Sequence, residues 1–249
     1  MRKDVFITGM GRSGTKFLGN MLKLDTEIAS FHEDIGNREY WLLSWYLNEE
    51  YAIPFLNKEK TRIDSTIEKK IYVDVNSYLQ NSVEVLPKVF SNCEIFHLVR
   101  DPRKVVPSIF TRRDDDKIHK IPKNESEIES WLQMNKLQQV CYNWVQTTNS
   151  LLESSATLLK FEDLTKDYTY LKTKVLDPIG ANISLEQYDS FRKIKINRTR
   201  GFVYRYLYAK YKGKAFVKDH MKFEDFNSEQ RKMFFDICGP TMDKLNYSK

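Results

Sequence analysis

Residues 5–22 read Val-Phe-Ile-Thr-Gly-Met-Gly-Arg-Ser-Gly-Thr-Lys-Phe-Leu-Gly-Asn-Met-Leu: an apolar strand, a glycine-punctuated turn carrying Arg12, Ser13, Thr15 and Lys16, then a helix. This stretch constrains the chain more than any other. Successive backbone N–H groups at a strand-to-helix turn, at the positive end of a helix dipole, form a cradle for a phosphate or sulfate group. The turn predicts a protein that handles a phosphorylated cofactor. The alternative is a Gly-rich turn that only joins strand to helix, since isolated Gly patterns match often by chance.

The nucleotide-binding loop of kinases and ATPases reads Gly, four residues, Gly, Lys, then Ser or Thr. Gly9 and Gly14 keep that separation, but Thr15 stands where the lysine belongs and Lys16 follows it. A lysine moved one place along a helix start points about 100° away. The departure argues against standard ATP chemistry.

Five short segments rich in β-branched or aromatic residues read as strands: Val5–Thr8, Glu27–Phe31, Lys70–Val73, Glu94–Val99 and Thr157–Phe161. Helical patterns separate them. The clearest follows a capping-box match at Ser126-x-x-Glu129 and sets Leu137, Val140, Cys141, Trp144, Val145, Thr148, Leu151 and Leu152 on one stripe. Strands alternating with helices predict an α/β fold, a three-layer sandwich around a central parallel sheet. Ligands of such sheets bind at the carboxyl ends of the strands. The cradle, Phe31-His32-Glu33-Asp34 and Arg100-Asp101-Pro102-Arg103 all fall at those ends, so the topology predicts that they converge.

With 249 residues, 41% apolar, the chain is long enough for one domain spanning 1–249, with a helical aromatic insertion at about 37–69. Cys93, Cys141 and Cys238 are scattered and odd in number, and Val5 already begins a strand where a signal peptide would lie. Both features suit a reducing, cytoplasmic setting. No stretch reaches the ~18–20 apolar residues of a membrane span; a chain trimmed of an anchor would read the same way. The net charge of +6 is concentrated: residues 192–218 hold ten Lys or Arg and no Asp or Glu, leaving 30 basic against 34 acidic residues elsewhere. That basic segment, interleaved with tyrosines, suits cofactor phosphates, an acidic acceptor, a membrane face or nucleic acid; a solvated helix with its tyrosines packed inward is the plainer reading.

Together these motifs resemble the sulfotransferases that use 3′-phosphoadenosine 5′-phosphosulfate (PAPS), whose fold is similar to that of P-loop NTPases. Gly11-Arg12-Ser13-Gly14-Thr15 resembles the family's loop for the 5′-phosphosulfate. The run from Ile95 through Arg100-Asp101-Pro102 to Ser108 resembles its 3′-phosphate site, which implies that Arg100 and Ser108 hold that phosphate. The residue chemistry agrees, because a guanidinium fork at a strand end suits bidentate phosphate recognition. Trp144, the Leu158-Leu-Lys-Phe-Glu-Asp-Leu segment and the C-terminal Phe223–Tyr247 stretch are weaker echoes, with Phe161 in place of the usual Tyr. Glu162 and Asp163 read as helix-start residues.

The resemblance implies in-line attack of an acceptor hydroxyl on sulfur, with no metal expected. Arg12 stands where the family has a Lys or Arg at the departing oxygen, and the amides from Ser13 to Lys16 are expected to cradle the 5′-phosphosulfate. The attacking hydroxyl needs a base. Glu33 resembles the glutamate base of the branch that includes tyrosylprotein and carbohydrate sulfotransferases; His32 is the alternative, and strand alternation predicts that the two point to opposite faces. Many family members carry a Lys-x-Pro turn after the third strand, where this chain has Asp74-Val75-Asn76-Ser77; Lys16 or the basic segment is the expected substitute. The partner is a hydroxyl-bearing acceptor such as a carbohydrate, lipid or other small alcohol, with no nucleic acid expected, and the aromatic insertion is a candidate wall for its pocket. Two rivals remain open at this point. One is a small-molecule kinase using Mg-ATP, with Asp74 as the Mg²⁺ ligand; the other is a non-catalytic basic module that binds anions.

Overall fold

The structure, a computed structural model, describes residues 2–47, 49–111, 120–194, 207, 210–211 and 221–247. Most of the basic segment 192–218 lies outside the described residues. Five strands, β1 (Lys3–Thr8), β2 (Ile28–His32), β3 (Ile71–Val75), β4 (Cys93–Val99) and β5 (Thr157–Lys160), lie within two residues of the predicted bounds. They form one sheet in the order β2-β3-β1-β4-β5, and every neighbouring pair is parallel.

Strand alternation sorts the core into layers. Val5 and Ile7 of β1 face one cluster, shared with Leu18, Met21 and Leu22 of helix α1 (Thr15–Leu22) and with Leu159 and Tyr188. Phe6, between them, faces the opposite cluster with Tyr72, Leu86 and Phe90. Further along that side, a third cluster joins α5 (Pro102–Phe110), α7 (Lys136–Leu152) and the C-terminal helix Ser228–Lys244 through Val105, Val106, Trp144 and Phe234. The result is the expected α/β arrangement, a parallel sheet between two helical layers.

One helical expectation changes. The predicted capping box at Ser126 is not the start of the long helix: α6 (Glu125–Gln133) is capped by Asn124, whose side chain accepts from the Ser126 amide. Met134 then turns extended, and α7 restarts at Asn135, which forms a reciprocal capping box with Gln138. The stripe of α7 is as expected for Leu137, Val140, Cys141, Trp144, Thr148 and Leu151, which are buried, while Val145 and Leu152 are half-buried at its edge.

The aromatic insertion forms α2 (Arg38–Tyr46) and α3 (Glu49–Thr66). Tyr40 is buried and stacks on Phe55 with ring centroids 4.4 Å apart. Trp45 donates its indole N–H to Ile121 O, while the buried Lys120 ammonium lies 4.4 Å above its ring. No helix among the described residues is long and apolar enough to cross a membrane.

Candidate active site

The sheet order sets the site. The chain leaves β1 for β2 and β3 on one side, then crosses to β4 on the other, so the strand order reverses at β1 and a cleft opens at its carboxyl end. The turn that follows β1 needs two of its three glycines, for different reasons. A Cβ on Gly9 would stand 2.2 Å from Leu98 O, so only glycine lets the end of β1 lie against β4. Gly14 has φ +98° and a Cβ there would stand 2.1 Å from the Phe161 ring. A Cβ on Gly11 would meet no atom of the described residues within 4 Å.

Arg12 adopts φ +76°, a left-handed conformation that costs a residue with a Cβ about 1–2 kcal/mol. Its Nε donates to Ser108 Oγ at 2.9 Å. Ser13 departs from expectation. It is 1% exposed and its amide donates to Met10 O at 3.2 Å, so the tightness of the turn draws it beneath the cradle. The amides of Thr15 and Lys16 stand in the first turn of α1, ahead of its hydrogen-bonded ladder, where helix N–H groups lack carbonyl partners.

The second anion segment meets the first. Arg100 follows β4, donates from a terminal nitrogen to Arg12 O at 3.2 Å and stacks over Phe161 with 4.7 Å from guanidinium to ring centroid. Its Nε is buried and has no hydrogen-bond partner among the described residues. Burial lowers the Arg100 pKa, against the opposing charges of Glu162 and Asp101, yet a guanidinium stays protonated. Asp101 accepts from the Arg103 amide and caps α5, which carries Ser108 back to Arg12. Glu162, read as structural, accepts from the Asp101 amide and from the Tyr247 hydroxyl.

On the other side of the cleft, β2 ends at His32. His32 Nε2 is in hydrogen-bond contact with Thr15 Oγ1 at 3.1 Å, and its Nδ1 lies 3.8 Å from Glu33 Oε2. Alternation had set His32 and Glu33 on opposite faces, but both line the cavity. Glu33 lies beyond the last strand residue with φ +60°, and this left-handed turn ends the alternation. Ser77, just after β3, donates its hydroxyl to Glu33 Oε1 at 2.7 Å.

These groups surround an open cavity of about 650 Å³. It is lined by Gly11, Arg12, Gly14, Thr15, Lys16, His32, Glu33, Arg100 and Ser108, which is every expected site residue except Ser13. Phe17, Ser77, Tyr78, Phe161 and Ile194 also line it and were not expected there. Ser77 and Tyr78 had a legible signal, since they follow a strand end at the same edge of the sheet. Two expectations are corrected. No described residue of 37–69 lines the cavity; the insertion instead sends Arg62 to Asp34, 2.8 Å away, in the loop after β2. Asp74 is fully buried and accepts from the Asp34 and Ile35 amides and from Asn76 Nδ2. Its oxygens brace a loop rather than face a nucleotide.

The chain matches the family model described as "Sulfotransferase domain" over residues 2–246. It belongs to that family, and its general chemistry is transfer of a sulfuryl group. No curated protein matches it. Among solved structures it is similar to the sulfotransferase domain from the curacin biosynthetic pathway (14% identity, 100% of this chain and 99% of that one, TM-score 0.56). It is also similar to a sulfotransferase from Alicyclobacillus acidocaldarius (12% identity, 99% and 95% covered, TM-score 0.52) and to sulfotransferase STF9 from Mycobacterium avium (10% identity, 99% and 78% covered, TM-score 0.57). At these identities the likeness is one of fold.

Proposed function

We propose that the chain moves the sulfuryl group of PAPS to the hydroxyl of a carbohydrate, lipid or other small alcohol by in-line displacement. The observation that carries this reading is the junction of two anion-binding segments on one cavity, through Arg12 Nε on Ser108 Oγ and Arg100 on Arg12 O. A bisphosphorylated nucleotide fits that junction: among the described residues Arg100 Nε is buried without a partner and nothing stands within 4 Å of a Cβ on Gly11, and the first-turn amides of α1 precede the helical ladder.

PAPS supplies the activated sulfuryl group and a phosphate leaving group. Arg100 and Ser108 hold the 3′-phosphate, and the amides of Gly14, Thr15 and Lys16 hold the 5′ end. Arg12 offsets negative charge on the departing phosphate oxygen, which keeps the electron pair of the broken S–O bond. Glu33 takes the acceptor's proton at Oε2, since Oε1 already accepts from Ser77. His32, held on Thr15, borders that oxygen and helps orient the acceptor. The kinase alternative loses support because the oxygens of Asp74 are engaged by backbone and Asn76.

Thermal unfolding with adenosine 3′,5′-bisphosphate and no metal, with Mg-ATP and with an oligonucleotide tests the reading. A ligand of the folded state at 100 times its Kd stabilises by about 2.7 kcal/mol. The bisphosphate is expected to stabilise; stabilisation by Mg-ATP alone overturns the reading. Transfer from [³⁵S]PAPS across a panel of sugars, lipids and phenols then identifies the acceptor class.

A further inference from the structure

We propose that Ser77 is the positioning residue of Glu33, the outermost member of a clamp that the end of β3 closes on the loop after β2. The inference rests on the reading of Glu33 as the base. Glu33 has φ +60°, a conformation that persists in a residue with a Cβ only where its surroundings over-determine it. Those surroundings come almost wholly from the end of β3. The Glu33 amide donates to Val75 O at 3.3 Å. The next two amides, of Asp34 and Ile35, donate to the two carboxylate oxygens of Asp74 at 3.1 and 3.0 Å. Asn76 Nδ2 donates to Ile35 O at 2.7 Å and to Asp74 Oδ2 at 2.8 Å. Asp74 and Asn76 are both fully buried, so these bonds are shielded from competing water.

The same Asn76 sets Ser77. Its Oδ1 accepts from the Tyr78 amide at 2.8 Å and so starts the 3₁₀ turn Ser77–Leu79. The hydroxyl of Ser77 thus meets Glu33 Oε1 from a backbone that is anchored to the same buried pair as the Glu33 backbone. A glutamate carboxylate on three rotatable bonds has no fixed direction of its own. The bond to Ser77 restricts the carboxylate, and its other oxygen, Oε2, lies 3.8 Å from His32 Nδ1 where both residues line the cavity.

The test combines structure and kinetics. Crystal structures of the wild type, Ser77→Ala and Ser77→Thr with adenosine 3′,5′-bisphosphate report where the Glu33 carboxylate lies. Turnover of [³⁵S]PAPS, to the best acceptor of the panel or to water, is measured for the same proteins, for Glu33→Gln and for the double variant. Ser77→Ala is expected to release the carboxylate from its position and lower kcat at least about tenfold, as misplacement of a reacting group does, with KM for PAPS within about twofold. Ser77→Thr keeps the hydroxyl and recovers most of kcat. Adding Ser77→Ala to Glu33→Gln lowers turnover no further, because both act through one group. An unmoved carboxylate, or wild-type kcat in Ser77→Ala while Glu33→Gln is impaired, overturns the role of Ser77 and leaves the base assignment standing. Wild-type turnover in Glu33→Gln overturns the base assignment, and the role of Ser77 falls with it.

Discussion

Arg12 and Glu33 are two of the three described non-glycine residues with positive φ, and they are the residues we propose to act on the leaving oxygen and the acceptor proton. Strain collects where a side chain must be aimed rather than merely packed. Two other residues at the strand ends tie stability to pH. Burial pushes His97, on β4 beside Thr8, down from an ordinary 6.5 to about 4, and pushes Asp74 up from 3.8 to about 6. The folded state holds the imidazole neutral, so this contribution is complete above pH 6.5 and is lost as pH falls toward 4. The folded state also keeps Asp74 protonated to higher pH, so that contribution is lost as pH rises from 3.8 through 6. The two slopes oppose each other between pH 4 and 6. His97→Leu removes one of them: the variant's stability relative to wild type should rise as pH falls from 6.5 to 4, by up to about 3 kcal/mol. Urea denaturation of both proteins across that range checks this, and a flat difference would refute it.

At the scale of elements, the strands and α1 were legible because their signals are local. Alternating apolar residues mark a strand, and a glycine turn before Thr15 marks a helix start. The long helix was legible in its stripe and misread at its start. Ser126-x-x-Glu129 and Asn135-x-x-Gln138 are both capping-box patterns, and nothing in the pattern reports that the backbone turns extended at Met134. Packing of Leu137 and Trp144 against the C-terminal helix favours the restart at Asn135. Asn135→Ala should therefore cost about 1 kcal/mol of stability. Ser126→Ala, on the exposed first turn of α6, should stay within about 0.5 kcal/mol. Equal losses in urea unfolding would count against this assignment of the helix start.

Over the whole molecule, the cavity draws on the carboxyl ends of all five strands, and Glu162 ties two of those ends to Tyr247. Glu162, after β5, accepts from the Asp101 amide after β4 and from Tyr247 at the end of the chain. Glu162→Ala leaves both donors without that acceptor, at about 1–3 kcal/mol for each group that stays buried and unsatisfied. The expected result is a lower urea midpoint together with a changed near-ultraviolet signal from Tyr247; an unchanged midpoint would mean that water replaces the carboxylate. By itself the sequence determined the strand–turn–helix cradle, the Arg100–Ser108 segment and the parallel α/β sheet. Those depend on backbone conformation and alternation, which neighbouring residues dictate. Only the tertiary structure decided that Ser77 holds Glu33, that Asp74 and Asn76 brace the loop after β2, that the aromatic insertion supports Asp34 through Arg62, and that Ser13 lies beneath the cradle. Apart from Ser13, whose burial follows from how the turn packs, these contacts join residues about 28–44 positions apart. Strand order and packing bring such residues together, and no local pattern encodes that.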